Sequence, residues 1–178
     1  MKKNTNKLKI VLVSNTSWYL YNFRIKLLFL IKSYNYDLYL ICPEDEYTEN
    51  LEKLGFQIYK WNLHRRSINP FSEFIAVYNL SKIYSEIRPD IAHHFTIKAC
   101  IYGSISALIC NVKVIINSFT GLGHFFISNN FRIKFIRKMS RFLIRIIFSK
   151  INTKLILQNN SDREKLLKLK ITTKNKSI

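Results

Sequence analysis

Short apolar runs alternate with stretches of helical spacing along the whole chain, and that alternation limits the fold more than any other feature. Runs bounded by turn residues read as strands near Lys9 to Val13, Asp37 to Cys42, Phe56 to Trp61, Ile91 to Phe95, Val112 to Asn117 and Lys154 to Leu157. Strands separated by helices favour crossover units and a parallel sheet over an all-helical or all-strand fold. The expectation is a single α/β domain: a parallel sheet of about six or seven strands with helices on both faces, filling residues 1–170 and leaving 171–178 as a polar tail.

The helical stretches carry their own boundary signals. The first is expected over about Asn22 to Ser33, and the second over the acidic Glu46 to Leu54, closed by Gly55 as a left-handed cap. Asn69 before Pro70 gives a cap and a pre-set first helical residue for a helix running to Ile87, which Arg88-Pro89-Asp90 ends. From Lys98 to Cys110 the small residues Ala99, Gly103, Ser106 and Cys110 recur every three or four positions, so one helix face can approach the sheet closely. Ser161 and Glu164 have capping-box spacing for a last helix ending around Lys170.

At 178 residues the chain is long enough to bury a full core without staples. Its three cysteines, Cys42, Cys100 and Cys110, show no metal-ligand spacing and read as packed thiols in a reducing, cytosolic compartment. The net charge of +18 is uneven: between Asp90 and Asp162 there are ten Lys or Arg and no acid. Phosphate-bearing ligands, anionic lipid and nucleic acid all meet that demand, and a biased Lys, Asn and Ile composition meets it without any ligand. Neither Ala99 to Val112 nor Val114 to Phe131 reads as a membrane span, and the N-terminus lacks the apolar core of a signal peptide.

Three polar stretches fall where strands end, and in an open parallel sheet the ligand crevice lies beyond the carboxyl ends of the strands. Ser14 to Leu20 has no glycine, which excludes the dinucleotide fingerprint. Its amides and hydroxyls either cap the next helix or hydrogen-bond a sugar or phosphate there. His93 and His94 close the fourth strand, with Thr96 and Lys98 just beyond; one imidazole is expected under a helix and the other in the crevice, binding phosphate or hydroxyl groups or handling a proton. Thr120-Gly121-Leu122-Gly123-His124 follows the fifth strand, and its glycines permit close backbone approach to a ligand or simply a tight turn. Beyond it, Asn130 to Lys150 reads as a basic amphipathic helix with Lys134, Lys138, Arg141 and Arg145 on one stripe, suited to an anionic membrane surface or to open solvent. Glu44 and Glu52 are assigned to a charged outer face.

Taken together, Ser14-Asn15-Thr16-Ser17-Trp18-Tyr19-Leu20-Tyr21-Asn22-Phe23-Arg24, His64 to Pro70, Arg88 to Lys98, Thr120 to Gly123 and Gln158 to Asp162 resemble the N-terminal half of a family 4 glycosyltransferase of the GT-B fold. The likeness is strongest to bacterial enzymes that extend lipid-linked surface glycans. It implies a Rossmann-like, acceptor-side lobe facing a cleft, with a second lobe holding a nucleotide-sugar, retaining transfer, and neither metal nor other cofactor. By that resemblance Asn15, Thr16, Arg24, His94, Thr96, Lys98, Thr120, Gly121 and Gly123 are the substrate-binding candidates, and His93 and His94 the catalytic ones. Thr120 stands where many members carry histidine, and Ser14-Asn15-Thr16 where many carry a glycine pair.

The expected activity is transfer of a sugar from a nucleotide-sugar to a lipid-linked or other glycan acceptor. The donor-binding half is expected to be missing, through truncation or splitting, and turnover to need it. The alternative is a basic, non-catalytic module on anionic membrane, with nucleic acid ranked lower because no compact aromatic-and-basic RNA motif is present. Either way the expected location is cytoplasmic, at the inner face of the cell membrane.

Overall fold

The strand β1 (Lys9–Val13) runs through the centre of the protein, buried at four of its five residues. In this computed structural model, residues 7–65, 67, 69–119 and 153–168 are described. The remaining strands are β2 (Asp37–Cys42), β3 (Gln57–Lys60), β4 (Ile91–Phe95), β5 (Val114–Phe119) and β6 (Thr153–Leu157); the helices are α1 (Ser17–Ser33), α2 (Thr48–Lys53), α3 (Pro70–Ile87), α4 (Ile97–Ile109) and α5 (Asn160–Lys168). All strand pairs are parallel, in the order β3-β2-β1-β4-β5-β6. The order reverses between β1 and β4, the place where such sheets open a crevice at the strands' carboxyl ends.

Side chains alternate across the sheet and build two cores. Ile10, Leu12, Leu40, Cys42 and Phe95 pack with Leu20 and Leu28 of α1 and Leu51 of α2. On the other face Val11, Val13, Ile41, Ala92 and Ile115 pack with Ala76, Leu80, Tyr84 and Ile87 of α3 and Ala99 and Ala107 of α4. The expected architecture, a Rossmann-like parallel sheet with helices on both faces, is therefore the one observed.

Local chemistry sets the helix ends. Asn69 Oδ1 accepts from the Phe71 amide at 3.1 Å with Pro70 next in line, and Arg88 stops α3 in the left-handed region at φ 52°. Gly55 follows α2 at φ 76°, as its position suggested. Several boundaries differ from the sequence expectation, most by one or two residues, and two of the differences have a clear local cause. α1 begins at Ser17 rather than Asn22, because Thr16 Oγ1 accepts from the Tyr19 amide at 3.1 Å and starts the helix at once. β5 begins at Val114 rather than Val112, because the Val112 amide still bonds to Ala107 O at 2.8 Å and Asn111 turns at φ 54°. The expected loop Thr120 to His124, the basic stretch Asn130 to Lys150 and the tail 171–178 lie outside the described residues.

Candidate functional site at the carboxyl rim

An open cavity of about 630 Å3 lies beyond the carboxyl ends of β1, β2 and β3. Asn15 and Thr16 line it after β1, Pro43, Glu44 and Asp45 after β2, and Leu63, His64, Arg65 and Ser67 after β3. Its walls come from three loops that are remote in sequence and adjacent in the sheet.

Asp45 fixes the first two loops together. Its carboxylate accepts from the Ser17 amide at 2.9 Å, from the Trp18 amide at 3.4 Å, from the Tyr47 amide at 3.0 Å and from the Ser17 hydroxyl. A carboxylate at a helix N-terminus satisfies the orphan amides and complements the dipole. The start of α1, expected as a seat for sugar or phosphate, is thus occupied by the protein's own anion. Asn15 remains half-buried on the cavity wall with its side chain available to hydroxyl groups.

Lys98 fixes the third loop. Its ammonium donates to His64 O at 3.0 Å, to Ser67 O at 2.6 Å and to both Glu73 oxygens at 2.9 and 3.0 Å, while the Tyr102 hydroxyl also donates to Glu73. Burial, followed by the Glu73 contact, raises the Tyr102 phenol above its usual range. Lys98 was expected on a substrate; its proton donors are instead spent on the β3–α3 loop, so it acts on the cavity by holding the wall that carries His64 and Arg65.

The paired histidines separate as the strand alternation requires. His94 has no exposed surface: the Tyr84 hydroxyl meets Nε2 at 2.8 Å and Nδ1 meets Asn117 Oδ1 at 2.8 Å. Because Oδ1 only accepts, Nδ1 carries the proton and Nε2 receives Tyr84. Asn117 Nδ2 donates in turn to Ser104 Oγ at 2.9 Å. Burial pushes the imidazole down to about 4, against a smaller upward pull from Asn117. Both nitrogens of His94, expected as a substrate contact, are used within the protein, and the ring joins β4, β5, α3 and α4 behind the rim.

His93 faces the α1 side, where Nε2 lies 2.7 Å from Ser118 Oγ and the ring centroid lies 4.2 Å from that of Phe95. Burial first, then the charges of His94 and Arg24, lower it to about 3. A group neutral so far below pH 7 is poorly matched to proton transfer. Arg24, a substrate candidate, lies with its guanidinium over Tyr19 at 5.2 Å and over Phe95 at 4.9 Å and does not line the cavity.

Next to the cavity, Thr96 leads into α4 at φ 73°, ψ 154°, without a side-chain cap. This is a backbone region that β-branched residues rarely occupy. Among the described residues, buried Thr96 Oγ1 and Ser14 Oγ have no hydrogen-bond partner. They end β4 and β1, the two strands at the order reversal.

Asn15, Thr16 and Thr96 therefore share the rim, Lys98 supports it, and Arg24, His93 and His94 stand back from it. Thr120, Gly121, Gly123, Lys134, Lys138, Arg141 and Arg145 lie outside the described residues. Asp45, His64 and Arg65 were not among the sequence candidates for the site. Pro43 and Asp45 directly after an apolar run were the available signal for the first. Among the described residues no cluster of three or more His, Cys, Asp or Glu is arranged to hold a metal ion.

The profile of the family described as glycosyl transferase 4-like matches residues 9–160. Over 157 residues the chain is 26% identical to N,N'-diacetylbacillosaminyl-diphospho-undecaprenol alpha-1,3-N-acetylgalactosaminyltransferase of Campylobacter jejuni, covering 88% of this chain and 42% of that protein. Among solved structures, a glycosyltransferase from Rickettsia africae matches with TM-score 0.70 and 18% identity over 97% of this chain and 42% of its own. A UDP-N-acetylglucosamine 2-epimerase matches with TM-score 0.65 and 16% identity over 96% of this chain and 45% of its own. These two likenesses show the fold, and the chain spans less than half the length of each of these relatives. With the family profile running from the start of β1 to the start of α5, the chain belongs to the glycosyl transferase 4-like family.

Proposed function

We propose that this domain is the acceptor-side lobe of a retaining glycosyltransferase that moves a sugar from a nucleotide-sugar onto a lipid-linked saccharide at the cytoplasmic face of the membrane. The observation that carries the reading is the open cavity beyond β1, β2 and β3, in a chain of this family. Asn15 and Thr16 offer amide and hydroxyl groups to sugar hydroxyls, and exposed His64 and Arg65 offer donors, one of them permanently charged, to a phosphate. The Campylobacter relative's name specifies a diphospho-undecaprenol-linked substrate, which has both kinds of group.

In this reading Thr120, Gly121 and Gly123 also contact the acceptor, and the nucleotide-sugar is held by a second lobe across the cleft. Lys134, Lys138, Arg141 and Arg145 add attraction to anionic headgroups. The test is transfer of a labelled sugar from a UDP-sugar to a diphospho-undecaprenol-linked saccharide. The 178-residue chain alone is expected to give no turnover, and addition of the carboxyl-terminal half of the Campylobacter relative to restore it. Asn15→Ala or Arg65→Ala should then lower transfer at least ten-fold. Full-rate transfer by the chain alone, or unchanged rates in both variants, would overturn the reading.

The net charge of +18 favours a second reading, a basic module that docks on anionic surfaces without chemistry. Its mark is binding that weakens steeply with added salt and ignores sugar identity.

A further inference from the structure

Three large aromatic side chains stand in solvent on α3: Phe71 is 72% exposed, Phe74 70% and Tyr78 62%. Their spacing of three and four residues puts them on one stripe, opposite the core-facing Ala76, Leu80, Tyr84 and Ile87. Lys82, exposed, continues the stripe one turn on. Glu73, the acid in the first turn, is turned away and neutralised by Lys98 at 2.9 Å. Contiguous exposed aromatic surface of this kind marks a contact site.

We propose that the Phe71, Phe74 and Tyr78 stripe of α3 docks on an anionic lipid bilayer, seating the rim cavity at headgroup level; this identification rests on the acceptor-side reading above. Three observations select lipid over a protein partner. Phenyl and phenol rings beside a Lys whose stem can lie along them suit the boundary between acyl chains and headgroups. The chain carries +18, exposed Lys82 continues the stripe, the acid beside the rings is paired inward, and exposed Glu86 lies only beyond Lys82 at the far end of the helix, so charge complementarity is to an anionic surface. Finally, Asn69 caps α3 directly after the loop bearing His64, Arg65 and Ser67, so a bilayer on the first two turns of α3 lies beside the cavity wall. A saccharide held on a membrane lipid would then reach Asn15 without leaving the surface.

The test uses the whole chain and vesicles of phosphatidylglycerol and phosphatidylcholine, with phosphatidylcholine vesicles as the uncharged control. The unsubstituted chain should sediment with the anionic vesicles, and Phe71→Ser/Phe74→Ser/Tyr78→Ser should weaken that binding at least ten-fold at an unchanged melting midpoint. Phe74→Glu alone, on the solvent side of the helix, should reproduce most of the loss, and Lys82→Gln should weaken only binding to the anionic vesicles. Unchanged binding by the folded triple variant would overturn the proposal and leave the attraction to other basic segments. Self-association of the unsubstituted chain without lipid, abolished by Phe74→Glu, would overturn it in favour of a second copy of the chain. Vesicle binding needs neither donor nor turnover. If it is lost in the variants while the transfer assay fails, docking stands and the transferase reading falls.

Discussion

Gly103 of α4 lies so close to His94 of β4 that a Cβ built on it would stand 2.4 Å from the imidazole Cδ2. The ring cannot retreat, because Tyr84 and Asn117 hold its two nitrogens at 2.8 Å each. Gly103→Ala should therefore cost about 2 kcal/mol, the usual scale of overpacking, and lower the thermal midpoint by roughly 4–8 °C. Circular dichroism melts check this. Tyr84→Phe removes the donor to buried Nε2 and should cost about 1–3 kcal/mol without any clash; an equal midpoint for both variants and the unsubstituted chain would show the network to be energetically idle.

Acid should loosen the domain well above the range where carboxylates protonate. His93 and His94 hold pKa values of about 3 and about 4 in the fold, below the ordinary 6.5, chiefly through desolvation, His94 being fully buried and His93 partly so. Between those values and 6.5 the unfolded chain binds more protons than the folded one, so stability is complete above about pH 6.5 and falls as pH drops toward 4 and then 3. The slope per histidine approaches about 1.4 kcal/mol per pH unit. Denaturant midpoints from pH 7.5 to 4.5 should show the fall, and His93→Asn should roughly halve it. A flat profile would mean that the imidazoles are solvated.

Asp45 is predicted to stabilise the rim more than it binds anything. Asp45→Ala leaves the Ser17 and Trp18 amides without their acceptor and should cost about 1–2 kcal/mol, the range of a lost helix cap. Asp45→Asn keeps the acceptor oxygen and should recover about half. Hydrogen exchange at Ser17 and Trp18 should accelerate in the alanine variant; no change in their protection would contradict the assignment.

Thr96 stores strain that glycine would release. At φ 73° and ψ 154° a β-branched residue costs on the order of 1–3 kcal/mol, offset in part by the chain entropy of glycine. Thr96→Gly should raise stability by up to about 1 kcal/mol, since the hydroxyl it removes has no hydrogen-bond partner among the described residues. Loss of stability in chemical denaturation would show that the hydroxyl has a structural partner.

The parallel sheet was legible because β1, β2 and β4 are apolar runs bounded by turn residues, and Asn69-Pro70 announced α3 to the residue. What the sequence hid was decided by tertiary partners. α1 starts five residues early because Thr16 caps it and Asp45, 28 residues from Ser17, holds its first amides. Strand alternation announced that His93 and His94 would part, one under a helix and one toward the crevice, yet the pleat puts one against Phe95 and the other against Gly103, and neither lines the cavity. Lys98 looked free because Glu73, 25 residues earlier, is a partner only once α3 and α4 pack together. The exposure of Phe71, Phe74 and Tyr78 is decided only by packing, once Ala76 and Leu80 take the inner face of α3.

Ligand binding to the 15N-labelled chain tests the central claim most directly. Titration with a water-soluble, short-chain prenyl-diphospho-saccharide should shift the amides of Asn15, Thr16, His64 and Arg65 together, and a UDP-sugar should leave them in place. Tight binding of the UDP-sugar at those four residues, with no response to the diphospho-saccharide, would contradict an acceptor site at the ends of β1, β2 and β3.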